Sequence, residues 1–187
     1  LNFKGQANYS SMIKKICEYS ARTEFILTVL MHLLAPSDVK RQIMILAHNK
    51  SVLTYLHDAI QHRKLASVGY YIGGMSASDL KETETKQVVI ATYAMAEEAL
   101  DIKSLNTLIM ATPKTDVTQA VGRILREKHG QPIIVDIVDS HDTFVRQWSK
   151  RKKYYSSQNY SIVQSTNTTY PTVEPLKGRN YKCLLSA

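Results

Sequence analysis

Residues 115–126, Thr-Asp-Val-Thr-Gln-Ala-Val-Gly-Arg-Ile-Leu-Arg, decide how this chain is read. Val117, Ala120, Val121, Ile124 and Leu125 recur at i, i+3, i+4, i+7 and i+8, which is one apolar stripe on an α-helix. Gln119, Gly122, Arg123 and Arg126 fall on the opposite face, where residues three apart such as Arg123 and Arg126 are neighbours. A glycine inside a helix costs about 1 kcal/mol relative to alanine. Gly122 therefore makes sense where something approaches the helix backbone closely. Two guanidinium forks beside a bare backbone suit a phosphate. A solvated basic face on an ordinary amphipathic helix has the same pattern, so two readings remain open at this point.

Around this helix, short apolar runs alternate with helical patterns. Ile43–Ala47, Val68–Ile72, Val88–Ala91, Thr107–Ala111 and Pro132–Val138 read as strands, and Ser51–His62, Tyr93–Leu100 and His141–Tyr155 as helices. That alternation predicts an α/β fold, a parallel sheet covered by helices on both faces and joined by right-handed crossovers. Ahead of it, Leu1–Ser20 holds a short amphipathic helix bearing Met12, Ile13, Ile16 and Cys17, with Asn8 or Ser10 as its cap. Ala21–Leu34 is a second helix, ended by Pro36. Residues 156–187 shift to Ser, Thr, Asn and Tyr, a polar C-terminal extension that either wraps the domain or is partly disordered. The expected organisation is N-terminal helices and linker over 1–40, the α/β domain over 41–155 and the extension over 156–187.

In open α/β sheets, ligands collect at the carboxyl ends of the strands. His48-Asn49, Gly73-Gly74, Thr92 and Thr112-Pro113-Lys114 each follow or end a predicted strand, so they share that edge. A further stretch, Arg146 to Tyr155, interleaves cations with Trp148, Tyr154 and Tyr155. It reads either as a strand-binding surface or, as favoured here for the aromatics, as Phe144 and Trp148 anchoring a helix whose lysines are solvated. The net charge of +8 across 187 residues favours an anionic partner, nucleic acid before membrane. Cys17 and Cys183 lie at opposite ends with no CxxC, which argues against a zinc or redox site, and no metal ligands are assigned. The run Phe25–Ala35 is too short to span a membrane.

Gln119-Ala-Val-Gly-Arg-Ile-Leu-Arg126 resembles motif VI of superfamily 2 helicases, Q/H-x-x-G-R-x-x-R. Upstream, Ala91-Thr92 and Glu98-Ala-Leu-Asp-Ile102 resemble motif V of the same family. The resemblance spans roughly residues 41 to 139. The wording from Asp101 to Asp116 is most similar to helicases of large cytoplasmic DNA viruses of the poxvirus and asfarvirus type. The resemblance implies a RecA-like fold. It implies that Arg123 and Arg126 reach the γ-phosphate of ATP across a domain cleft, with Gln119, Gly122, Asp101 and Glu98 about the same nucleotide. Thr92, His48 and Asn49 match positions that hold nucleic-acid phosphates, and Gly73, Gly74, Thr112 and Lys114 are assigned with them on the shared edge. Short polar side chains and free N–H groups suit backbone contacts to DNA or RNA that are indifferent to sequence. The chain departs from the family at Ala99, where glycine is usual. The alternative for the two arginines is salt bridges to Glu127, Asp136 or Asp139. A reading of Glu97 and Glu98 as paired acid and base is weak, because adjacent helical residues do not share a face.

No G-x-x-x-x-G-K-[ST] and no Asp-Glu dipeptide occur in the sequence. The chain opens on Leu1 and reads as an excised piece: the second RecA-like half of an ATP-dependent helicase. ATP and Mg²⁺ would bind mainly to an N-terminal RecA-like partner half, and the piece alone would be inactive. The setting expected is cytoplasmic, the host cytoplasm or virion if the source is viral. The rival reading is a non-catalytic α/β module that binds nucleic acid or protein.

Overall fold

The structure, a computed structural model, describes residues 8–98, 102–124, 132–170 and 182–186, with the backbone alone at Glu98, Arg123, Ile124 and residues 182–186. The five apolar runs are strands β1 (Ile43–Ala47), β2 (Val68–Tyr71), β3 (Val88–Thr92), β4 (Thr107–Met110) and β5 (Ile133–Ile137). Two more, β6 (Ser161–Ser165) and β7 (Lys182–Ser186), complete a seven-stranded sheet in the order β2-β3-β1-β4-β5-β7-β6, with every pairing parallel. β1 is central, and all five of its residues are buried, as a strand covered on both faces requires.

The helices are α1 (Tyr9–Glu18), α2 (Ser20–Leu34), α3 (Lys50–His62), α4 (Ala77–Glu84), α5 (Tyr93–Glu98), α6 (Thr118–Ile124) and α7 (Asp142–Ser157). The step from β1 to β2 runs one way across the sheet. The steps from β2 to β3, β3 to β4 and β4 to β5 run the other way. Crossovers of one hand then put their helices on opposite faces. Accordingly α3 packs on the first face through Val52, Leu53, Leu56 and Ile60. α5 and α6 pack on the second through Ala96, Val117, Ala120 and Val121.

One crossover helix cannot cover the first face. α1 and α2 complete it: Ile13, Cys17, Ile26, Leu27, Val29 and Leu30 cluster with Ile109, Ala111, Ile133, Val135 and Ile137 of the sheet. Residues 8–34 and the sheet thus share one core. Asn8 caps α1, its side-chain oxygen accepting from the Ser11 amide at 3.2 Å. Among the described residues no helix is long and apolar enough to cross a membrane.

Three elements were not anticipated. α4 carries a single buried residue, Thr83, and so has no apolar stripe to read. It lies so close to β2 that a Cβ on Gly69 would sit 2.7 Å from Thr83 Oγ1, which is why that strand position is glycine. β6 and β7 turn part of the polar extension into sheet, whereas the sequence pattern showed no strand beyond residue 138.

Leu30 is fully buried between α2 and the sheet. Leu30→Ala should cost about 2–5 kcal/mol in chemical denaturation. A loss below about 1 kcal/mol would mean that α2 does not share the core.

Candidate functional site

The chain leaves β1 toward β2 and later returns past it to β4, so the strand order reverses between β1 and β4. Ligand crevices form at such a point, outside the carboxyl ends of the strands. Register places Thr92 beside Ala47 and Met110 beside Leu46. Gly73-Gly74, Thr92, His48-Asn49 and Thr112–Lys114 therefore stand side by side along the edge, in the order of their strands.

Their side chains do different things. The His48 amide donates to Thr112 Oγ1 at 3.0 Å, and His48 Nδ1 lies 3.0 Å from the same oxygen. With the Thr112 hydroxyl donating to Nδ1, the ring proton sits on Nε2. Partial burial, and then the Lys114 ammonium, push the His48 imidazole below its usual pKa, which favours the neutral form. Thr112 itself is fully buried. Its side chain cannot touch a strand laid over the edge, and it positions His48 instead. Asn49 caps α3, its Oδ1 accepting from the Ser51 amide at 2.8 Å. Thr92 Oγ1 accepts from the Met95 amide at 3.4 Å, at the start of α5. Gly74 adopts φ +92° in open space, a left-handed conformation suited to glycine. The Lys114 ammonium pairs with Glu97 and lies 4.8 Å from the centre of the Tyr93 ring, so its charge is compensated.

The segment after β4 is held from four directions. The Ala111 carbonyl accepts from Arg22 Nη1 of α2 at 2.8 Å, and Thr112 from the Tyr93 hydroxyl of α5 at 2.6 Å. The Pro113 carbonyl accepts from the Tyr9 hydroxyl of α1 at 2.9 Å, and Lys114 from Arg151 Nη1 of α7 at 2.5 Å. Both arginines are themselves fixed by forked ion pairs. Arg22 donates to Asp139 at 2.6 and 2.9 Å, and Arg151 to Asp136 at 2.6 and 2.8 Å. The Tyr155 hydroxyl adds a third contact to Asp136 at 3.3 Å. Burial pushes the Asp136 carboxyl up, against the pull of Arg151, and pushes the Tyr93 phenol up as well. Asp136 and Asp139 were two of the three carboxylates considered as alternative partners for Arg123 and Arg126, and other arginines occupy both.

This segment leads into α6. Asp116 Oδ1 accepts from the Thr118 amide at 2.9 Å, and that hydrogen bond holds its carboxyl below the usual range. Val117, Ala120 and Val121 are buried and Gln119 and Gly122 exposed, as the stripe predicts. A Cβ on Gly122 would meet nothing within 4 Å. The Arg123 backbone belongs to α6. The Arg123 and Glu98 side chains, and all of Leu125, Arg126 and Asp101, lie outside the described residues.

The sequence reading missed Tyr9, Arg22, Tyr93, Gln147 and the true role of Arg151. Gln147 joins Tyr9, His48, Lys114, Thr115 and Asp116 around a shallow cleft. Its Nε2 donates to Thr115 Oγ1 at 3.0 Å and to the Tyr9 hydroxyl at 3.3 Å. Arg151 had been counted in the basic aromatic stretch, but it is 1% exposed and bonded to Asp136. A carboxylate inside the run Ile-Ile-Val-Asp136-Ile was the available signal, because a buried charge needs a partner.

A parallel sheet with polar groups gathered at its switch point, covered by helices on both faces, is a doubly wound α/β domain, and its likeness to solved structures makes it RecA-like. The fold is similar to T4 UvsW, with a TM-score of 0.65 at 18% identity over 97% of this chain and 38% of that one. It is also similar to Saccharomyces cerevisiae Dbp5 bound to RNA and ADP BeF3, with a TM-score of 0.60 at 15% identity over 81% and 40% of the two chains. No protein-family model matches the chain. In sequence it is 38% identical over 160 residues to a protein of Acanthamoeba polyphaga mimivirus named "Putative ATP-dependent RNA helicase". That match covers 83% of this chain and 30% of the relative. A protein of African swine fever virus with the same descriptive name is 29% identical over 101 residues, 52% of this chain and 20% of the relative. The chain thus shares its RecA-like fold with T4 UvsW and Dbp5 and is a relative of helicase-named proteins of large DNA viruses. It spans less than a third of the length of these two relatives.

Removing one partner of a buried ion pair strands the other charge, at a cost of about 3–5 kcal/mol. Asp136→Leu should therefore destabilise the domain by about that much in urea. Asp136→Leu with Arg151→Met should recover most of the loss. A double variant no more stable than the single one would show that Arg151 acts mainly through the Lys114 carbonyl.

Proposed function

We propose that this chain is the second RecA-like half of an ATP-dependent helicase, supplying Arg123 of α6 and Arg126 as arginine fingers and part of a strand-binding surface from the sheet edge. The observation that carries the reading is the open face of α6. Gln119 and Gly122 are exposed, nothing in the described chain stands over Gly122, and Arg123 follows on the same helix. A bare helix backbone beside guanidinium groups fits a nucleotide phosphate presented by another domain. ATP and Mg²⁺ would be held chiefly by that domain, since this sequence carries neither a phosphate-cradling glycine loop nor an Asp-Glu pair. Bound ATP would supply the transferable phosphoryl group. Arg123 and Arg126 would stabilise the charge spreading over its equatorial oxygens, with Gln119, Asp101 and Glu98 orienting the nucleotide.

On the sheet edge, His48 would offer Nε2–H, and Gly73, Gly74 and the Asn49–Ser51 turn would offer backbone to strand phosphates. Thr92 and Lys114 would flank them. Thr112 ties the two functions together, because it orients His48 while its segment leads directly into α6. The viral relatives are named RNA helicases, which favours RNA over DNA.

The test uses the protein carrying both halves. Arg123→Ala and Arg126→Ala should each lower ATP turnover by on the order of 10³ with an unchanged thermal melt. Lysine at either position should not rescue, because its point charge lacks the planar fork. Early melting with normal turnover would make the arginines structural and overturn the assignment. RNA should stimulate the parent enzyme's turnover more than DNA of the same sequence.

A further inference from the structure

Among the described residues, the candidate strand-binding edge carries one exposed cation, Lys50 at the start of α3. His48 favours its neutral form, Lys114 is paired with Glu97, and Arg151 is buried on Asp136. Nucleic-acid affinity without sequence preference comes mainly from cations that displace counterions. If the edge holds a strand, further charge that draws the strand in stands beside it.

α7 carries that charge. At about 100° per residue, its buried residues Phe144, Trp148, Arg151 and Tyr155 fall within one arc. Gln147, which lines the cleft with His48 and Lys114, lies at the margin of that arc. Beyond Gln147, on the same flank, come Lys150, Arg146 and Lys153, all exposed. They occupy a stripe about 60° wide by the same helical spacing. Tyr154, half-buried, fills the same margin as Gln147, and burial, then the charge of Asp116, raise its phenol pKa. Among the described residues none of the three cations makes an ion pair, and the one side-chain bond is from Arg146 to Thr143 Oγ1 at 3.5 Å. The nearby carboxylate of Asp116 is engaged in starting α6. From Arg146 to Lys153 the helix rises by about 10 Å.

We propose that Arg146, Lys150 and Lys153 form a second nucleic-acid contact, a rail on α7 that takes the phosphates of a strand where it leaves the His48 cleft. The inference rests on the strand-binding role of the sheet edge and adds to the charge of Lys50 there. The apolar and ion-pair anchors of α7 fix the rail relative to the cleft, because Arg151 reaches from the same helix to the Lys114 carbonyl.

The test is binding of fluorescent poly-U RNA of about 4 and about 16 nucleotides, lengths that bracket single-strand sites, at several salt concentrations. The unaltered chain is compared with Arg146→Glu/Lys150→Glu/Lys153→Glu. The control is Lys14→Glu/Lys15→Glu/Lys103→Glu, three exposed positions away from the cleft with the same change in net charge. The rail variant should bind the longer RNA at least about tenfold more weakly and lose about 2 from the salt slope, as three phosphate contacts to a single strand predict. The shorter RNA should lose less. The control should keep the parent slope, and all three proteins should melt alike. A rail variant with the parent slope, or one no weaker than the control, overturns the rail while leaving the edge assignment standing. Failure of the parent chain to bind RNA at all overturns both.

Discussion

Four consecutive peptide carbonyls, from Ala111 to Lys114, each accept a hydrogen bond from a different helix. A chain leaving a parallel strand has no ladder partner beyond the sheet edge, and buried carbonyls without donors are costly. Here Arg22, Tyr93, Tyr9 and Arg151 meet that need. They also tie α2, α5, α1 and α7 to one short segment. Two of the donors are guanidinium groups that also fork onto Asp139 and Asp136, so they are held independently of the carbonyls. α6 follows within a few residues and inherits its position from this arrangement.

The same arrangement explains why the two faces of the sheet are not independent. α1 and α2 belong to the first face, α5 to the second, and α7 contributes Phe144 to one cluster and Trp148 and Tyr155 to the other. The Ala111–Lys114 segment is where side chains from both sides converge. A displacement of any one helix is therefore felt at the entry to α6 and at Thr112, which holds His48.

Much of this was legible in the sequence, for physical reasons that differ by element. The first five strands in the chain are short, apolar and bounded by turn residues, and buried strands leave that trace. The Val117, Ala120 and Val121 stripe of α6 followed from period alone. α4 left no apolar trace because it packs through a threonine against a glycine. The Ser76 side chain caps α4 by accepting from the Asp79 amide, a local bond without a periodic trace. β6 and β7 gave little, since Ser161–Ser165 stands at the sheet edge and is only partly buried. The carbonyl donors were beyond reach, as Tyr9 and Pro113 are brought together only by the fold. Thr112 illustrates a subtler limit. Its position at the edge was readable, but the direction of its side chain, inward to His48, was not.

The order of strands carries a consequence for how the molecule is made. β7 lies between β5 and β6 and pairs with both, yet it is the last of the three to be synthesised. Until it emerges, β5 presents an open parallel edge and β6 has no neighbour in the sheet. At ribosomal speeds of ~5–20 residues per second, that edge stays unsealed for a few seconds after β5 itself can dock. In that interval α7 is also made, whose Trp148 and Tyr155 pack on the second face. The nascent sheet can thus be covered on that face before β7 closes it from the side.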